Sequence, residues 1–182
     1  QSLQKAFILE LVYPVNSTVI PLHENLRRSP KLQMMDTGMV TFSTGVQKDI
    51  LLAKHIDEVY QGRVAEHIVG QELQSLSASP LYQLHFWTRE KADADAEVDF
   101  VFQHSGKVVP VEVKSGATGK LRSLIQFMEH SPHPFAVRVF SGRLNLESAK
   151  TPSGKPFYLL NLPFYLVHRL PDYLDWMINE VR

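Results

Sequence analysis

Two neighbouring stretches of alternating residues could bring acidic and basic side chains together. Residues 97–102 read E-V-D-F-V-F, and residues 109–114 read V-P-V-E-V-K. Side chains alternate between the two faces of a strand, so Asp99 lies on the polar face of the first stretch, and Glu112 and Lys114 share the polar face of the second. If the two strands pair as a hairpin, two carboxylates and a lysine meet at one end of it.

This combination of residues suits the cleavage of a phosphodiester bond. Adjacent carboxylates repel each other, and a divalent cation between them removes the repulsion. Mg²⁺ prefers oxygen ligands and binds one or two carboxylates together with waters and phosphate oxygens. It activates a bound water, and a nearby lysine stabilises charge on the phosphate. Asp99 and Glu112 are therefore candidate ligands of Mg²⁺ or Mn²⁺, and Lys114 is a candidate catalytic residue.

The same pattern has an interpretation without chemistry, which the residues alone leave open. Glu112 and Lys114 would then form the solvent-exposed polar edge of an ordinary strand. In both interpretations we expect Val98, Phe100 and Phe102 to point into the core from the opposite face of their strand.

The rest of the chain predicts a mixed sheet with helices around it. Apolar periodicity and turn residues predict strands over 31–35, 82–88, 135–140 and 156–160, a turn at residues 36–38, two helices within 47–76, and helices over 118–129 and 171–181. The apolar run over 6–13 predicts a buried strand or the end of a helix. This order of elements predicts the α/β class, with helices flanking a mixed sheet. We expect residues 1–45 to form a lead-in of strand, loop and strand that packs on a domain of residues 46–182.

Composition narrows the class of protein and its surroundings. The formal net charge is +0, which speaks against a protein that relies on a strong global positive field, although residues 101–160 hold eight Lys or Arg against three acids. The chain has no cysteine, so disulfides and thiolate metal sites are excluded and a reducing cytoplasm is the expected location. No apolar run is long enough for a membrane span.

Other motifs do not carry chemistry. Residues 116–120, G-A-T-G-K, lack the spacing of a phosphate-binding loop, so we expect no ATP site in this chain. The acidic ladder over residues 93–99 lacks the glycine and the final glutamate of a calcium loop. His130 and His133 are separated by Pro132, which breaks the helical spacing that a zinc pair needs.

Longer segments add a family resemblance. E-V-D-F at residues 97–100, followed by V-E-V-K-S at 111–115, resembles the PD-(D/E)xK nuclease superfamily and so implies its restriction-endonuclease-like fold. S-P-K-L-Q-M-M-D-T-G-M-V from Ser29, G-R-V-A-E-H-I-V-G-Q-E-L from Gly62 and V-P-V-E-V-K-S-G from Val109 are similar to the C-terminal domain of unknown function of bacterial and archaeal AAA ATPases. The resemblance spans about residues 6–160, with one departure: Val98 stands where the motif has proline.

The resemblance implies a role for particular residues. Asp99 and Glu112 match the metal-binding carboxylates, and Lys114 matches the catalytic lysine. Glu66 matches an acidic residue that assists at the metal site, with an ordinary helix-surface acid as the alternative. Gln126 matches the position of a helper polar residue, with a surface role as the alternative.

Three functions follow as expectations. The first is a Mg²⁺-dependent nuclease domain that acts on DNA and is joined to an N-terminal ATPase domain outside this chain. The second is a catalytically inert module of the same fold that binds a partner protein or nucleic acid and regulates the ATPase. The third is an assembly domain that forms an oligomer through the helix predicted over 171–181.

Overall fold

The computed structural model describes residues 2–52, 62–76, 82–89, 96–115 and 121–181. Within these ranges the chain forms, in order, α1 (Ser2–Lys5), β1 (Leu9–Val15), β2 (Lys31–Met34), α2 (Thr37–Thr44), α3 (Gln47–Leu52), α4 (Arg63–Ser75), β3 (His85–Thr88), β4 (Glu97–His104), β5 (Lys107–Lys114), α5 (Arg122–His130), β6 (Phe135–Phe140), β7 (Asn145–Lys150), β8 (Pro156–Pro163), a 3₁₀ helix (Phe164–Arg169) and α6 (Leu170–Glu180). None of the helices in these ranges has the length and apolarity needed to cross a membrane.

The strands form one mixed sheet in the order β2-β1-β3-β4-β5-β6-β8-β7. The pairs β1–β3, β5–β6 and β6–β8 are parallel, and the other neighbours are antiparallel. The predicted α/β class, a mixed sheet flanked by helices, is confirmed. Strands β1 and β2 come from the first 45 residues and belong to this sheet.

Two apolar clusters cover the two faces of the sheet. One joins buried residues of α4, the 3₁₀ helix and α6 to Val109, Val111 and Val113 of β5. The other joins buried residues of α5 to Val108 of the same strand. The alternation along β5 therefore sends its valines to both clusters, and Val111 and Val113 share one face as the sequence predicts.

The hairpin predicted from the sequence is present as β4 and β5. Its register runs from His104 opposite Lys107 to Phe100 opposite Val111. The two turn residues, Ser105 and Gly106, have φ values of 47° and 74°. Positive φ at both positions matches the right-handed twist of the strands and closes the hairpin tightly.

The alternation within β4 is broken by an extra residue. His85 of β3 lies opposite Val101, whereas Trp87, two residues on, lies opposite Val98, three residues away. Such a bulge resets which face each side chain takes. Val98 consequently packs with the α5 cluster, while Phe100 and Phe102 pack with the α4 cluster. The expectation that these three side chains share a face is wrong.

Two further elements differ from the sequence-based expectation. The turn predicted at residues 36–38 is the start of α2, because the Asp36 carboxylate caps the helix by accepting a hydrogen bond from Gly38 N at 2.5 Å. Strand β7 was not predicted, because its side chains are mostly exposed at the sheet edge and show no apolar alternation. The start of the helix predicted over 118–129 lies outside the described residues, at positions 118–120. The same holds for residues 53–61, within the span of the two predicted helices, and for residues 90–95.

Gly70 lets α4 approach the sheet closely, one turn after Glu66. A Cβ atom at this position would lie 3.1 Å from Phe100 Cζ and 2.7 Å from Gln33 Oε1. Both neighbours are buried. The absence of a side chain at residue 70 therefore sets how near α4 lies to β4.

We expect Gly70→Ala to lower the free energy of unfolding by about 1 kcal/mol, because overpacking outweighs the better helix propensity of alanine. Urea denaturation measures the change. Ser75→Ala, at an exposed position of the same helix, serves as the control. A Gly70→Ala protein that is as stable as the parent would show that α4 does not pack this closely.

Candidate functional site

Asp99 links the two strands of the hairpin where their paired register ends. It lies in the bulged part of β4 and is 9% exposed. Its Oδ2 accepts a hydrogen bond from Val113 N at 2.7 Å. The bulge thus turns a carboxylate toward β5 beyond the last strand pair, Phe100 with Val111.

Glu112 and Lys114 lie on β5 beside this link. Glu112 is 5% exposed, and Lys114 Nζ donates to its Oε1 at 2.6 Å. The second oxygen, Oε2, is buried and has no hydrogen-bond partner in the described part of the chain. Glu112 is therefore not part of a solvent-exposed polar edge, and one of its oxygens remains available to a ligand.

Lys31 is a member of the site that the sequence reasoning missed. It begins β2, and its Nζ lies 2.7 Å from Glu97 Oε1, 3.7 Å from Glu66 Oε2 and 4.0 Å from Asp99 Oδ1. The spacing of acidic and basic residues gave no signal for this contact, because Lys31 is distant in sequence. It does lie in the segment from Ser29 that contributed to the family resemblance.

Glu66 belongs to α4, the helix before β3, and its role at a metal site stays a prediction. Its carboxylate reaches Lys31, and its side chain is 37% exposed. We define the carboxylate–lysine cluster as the side chains of Lys31, Glu66, Glu97, Asp99, Glu112 and Lys114. Helix α4, β2 and the hairpin therefore each contribute to the cluster.

Gln126 lies outside the ion pairs of the cluster. It belongs to α5, whose buried residues pack in the cluster that contains Val98. Its Oε1 is buried and lacks a hydrogen-bond partner among the described residues. A helper role for Gln126 stays a prediction.

Burial dominates the titration of the carboxylates. It raises the pKa of Glu112 to about 7, and the negative charge of Asp99 adds to this, while Lys114 opposes it. Burial also raises the pKa of Asp99, against the Val113 N–H and the charge of Lys31. The pKa of Glu66 is raised by burial and then by Asp99. These carboxylates therefore hold protons more tightly than exposed ones.

Burial and the neighbouring acids shift the pKa of Lys31 in opposite directions. Burial taken alone would lower its pKa, but the hydrogen bond to Glu97 and the charges of Glu66, Glu97 and Asp99 raise it above the usual range. Lys31 is therefore a charged ammonium group at neutral pH.

Two carboxylate oxygens of the cluster are of the type that binds a hard cation. Glu112 Oε2 and Asp99 Oδ1 are carboxylate oxygens, the ligand type that Mg²⁺ prefers. Within the described residues, no three or more His, Cys, Asp or Glu side chains form a group that could hold a metal. The cluster supplies two carboxylates, the number that Mg²⁺ commonly takes together with waters and substrate oxygens, and a metal shared between them stays a prediction.

Comparison with known proteins identifies one family model. The model described as a domain of unknown function, DUF4143, matches residues 61–160. This range contains Glu66, Asp99, Glu112 and Lys114 but not Lys31. No curated protein and no solved structure matches the chain.

Proposed function

This chain belongs to the DUF4143 family, which is associated with AAA ATPases, and we propose that its carboxylate–lysine cluster is the active site of a Mg²⁺-dependent nuclease. One observation carries the proposal. Two buried carboxylates, Asp99 and Glu112, come from adjacent strands, and Lys114 is bound to the second of them. This supports the PD-(D/E)xK assignment made from the sequence pattern.

The burial and the raised pKa values of the carboxylates favour a functional role of the cluster over a purely structural one. Burying a carboxylate costs stability, as the raised pKa values of Asp99 and Glu112 reflect, and the charge of Asp99 adds to the shift at Glu112. Strongly perturbed pKa values with identified charged partners are concentrated at functional sites. Glu112 Oε2 has no hydrogen-bond partner among the described residues, so the fold does not compensate fully for its burial.

Each residue has a distinct role in the proposal. Asp99 and Glu112 would hold the metal, since each has an oxygen that is not used in a close hydrogen bond. When bound, Mg²⁺ supplies an activated water and neutralises charge on the phosphate. Lys114, whose side chain is 26% exposed, can reach a substrate phosphate and stabilise its developing charge. Glu66 assists from α4 by binding Lys31.

DNA is the proposed substrate. The eight lysines and arginines against three acids over residues 101–160 would favour the binding of a polyanion. An N-terminal ATPase domain of the same protein is the proposed partner, and the cytoplasm is the proposed location.

A second function is favoured by the ion pairs themselves. Both lysines of the cluster already bind carboxylates, and the described residues contain no group of three metal-ligating side chains. A cluster whose lysines are already paired suits an inert module of the same fold, which binds a partner protein or nucleic acid and regulates the ATPase. The two functions differ in whether the cluster binds a divalent metal.

Metal binding and cleavage test the proposal together. We expect the protein to bind Mn²⁺ in calorimetry and to cleave plasmid or single-stranded DNA with Mg²⁺ but not after chelation. Asp99→Asn should weaken Mn²⁺ binding about tenfold or more, because a charged ligand is lost. Asp175→Asn, at an exposed position on α6, is the matched control.

The possible results separate the two functions. Cleavage that persists in Asp99→Asn, or that does not need a divalent metal, would contradict the nuclease proposal. DNA binding without Mn²⁺ binding and without cleavage would favour the inert module.

A further inference from the structure

The ammonium group of Lys31 lies among three carboxylates, as a bound cation does. Nζ is 2.7 Å from Glu97, 3.7 Å from Glu66 and 4.0 Å from Asp99. These acids come from two separate elements, α4 and β4. An ordinary surface ion pair joins two exposed side chains and contributes little to stability. Here one lysine brings together acids from a helix and a strand.

Several contacts hold Lys31 in place. Its backbone lies in β2, opposite Val12 of β1, at one end of that antiparallel register. Its Nζ lies 4.8 Å from the centre of the Phe86 ring, and Phe86 is buried in β3. A cation over an aromatic face is further stabilised. The side chain is 29% exposed, so solvent screens its charge only in part.

Asp99 is the member of the cluster that connects two regions of negative charge. Its Oδ1 lies 4.0 Å from Nζ of Lys31, which also contacts Glu66 and Glu97, and its Oδ2 accepts from Val113 N, next to Glu112. Glu112 Oε2 is buried without a hydrogen-bond partner in the described ranges. The cluster therefore has a region that already contains a cation, around Lys31, and a region with a free carboxylate oxygen, at Glu112.

We propose that Lys31 is a built-in cation that fills one of two cation positions, so that the cluster binds a single divalent metal, held by Asp99 and Glu112. The part of this inference that concerns the metal rests on the proposed nuclease function. Lys31 acts as a positioning residue: it offsets part of the negative charge of Glu66 and Glu97 and keeps a second divalent ion out by charge repulsion. Removing the charge of Lys31 opens the position among Glu66, Glu97 and Asp99 to a second metal ion.

Counting bound Mn²⁺ tests the inference. Equilibrium titration followed by the electron paramagnetic resonance of free Mn²⁺ should show about one ion per parent chain and about two per Lys31→Met chain, because two carboxylates suffice to hold such an ion. Lys31→Arg keeps the charge and should bind about one. Lys107→Met, at the turn end of the hairpin, is the matched control and should also bind about one.

Thermal denaturation checks that the variant folds. Without metal, the unrelieved repulsion among Glu66, Glu97 and Asp99 should lower the Tm of Lys31→Met. Added Mn²⁺ should raise the Tm of Lys31→Met more than that of the parent, since a ligand that binds only the folded state stabilises it. An equal effect on both proteins would contradict the inference.

The outcomes separate this inference from the nuclease proposal. About two ions in the parent, or an unchanged single ion in Lys31→Met, would overturn the role of Lys31 and leave the nuclease proposal intact. No ion in the parent but one in Lys31→Met would support the role of Lys31 and contradict the proposed metal at Asp99 and Glu112. No ion in either protein would overturn both.

Discussion

Lys114→Ala is expected to lower kcat for Mg²⁺-dependent DNA cleavage roughly 100- to 1,000-fold, the typical effect of removing one donor that stabilises transition-state charge. Lys114 Nζ lies at the partly exposed end of β5 and is bound to Glu112 in the absence of substrate. Its contact with a phosphate would strengthen as charge develops there. The loss should therefore fall on kcat, with little change in KM. Single-turnover cleavage of a labelled duplex measures it.

The variant also frees Glu112, so metal binding must be followed separately. Mn²⁺ affinity should be kept or increased in Lys114→Ala, because a competing positive charge is gone. Lys114→Arg should recover part of the activity, and Lys5→Ala, at an exposed position of α1, should leave it unchanged. Full cleavage by Lys114→Ala would remove this lysine from the catalytic machinery.

Glu112→Gln is expected to raise the stability of the protein at about pH 8 while it abolishes Mn²⁺ binding. Burial, and then the charge of Asp99, raises the pKa of Glu112 from 4.5 to about 7 in the folded protein. The folded state thus keeps a proton that the unfolded state has lost. The stability that this proton contributes is fully present below about pH 4.5 and is lost as the pH rises through about 7.

A glutamine at this position does not ionise, so it avoids this loss. The gain should be on the order of 2 kcal/mol at about pH 8 and close to zero at about pH 4.5. Urea denaturation at the two pH values measures the difference. Glu72→Gln, on the half-buried part of α4, is the control for the loss of a carboxylate outside the cluster.

The two effects of Glu112→Gln have opposite signs, and that combination distinguishes the interpretations. A residue kept for function commonly costs stability, whereas one kept for structure contributes to it. A Glu112→Gln protein that is less stable at about pH 8 would mean that the ion pair with Lys114 holds the hairpin together. The inert module would then be the better account of the cluster.

Patterns within single segments of the sequence were sufficient to predict the strands and the helix that carry the site. The alternation over β5 predicted that Glu112 and Lys114 share a face, because a period of two residues is a property of any extended strand. The apolar spacing over 47–76 predicted the helix that forms as α4. The two alternating stretches predicted strands over 97–102 and 109–114, and β4 and β5 each extend two residues further toward the turn.

The three-dimensional arrangement decided the features on which the chemistry depends. The bulge that aims Asp99 at Val113 arises from the register between β3 and β4, and no pattern within β4 shows it. The burial that raises the pKa of Glu112 comes from the elements packed around β5. Lys31 reaches the cluster only because β1 carries β2 against the sheet and α4 lies over the hairpin. Such contacts join residues far apart in the chain. The periodicity of a single strand or helix therefore cannot predict them.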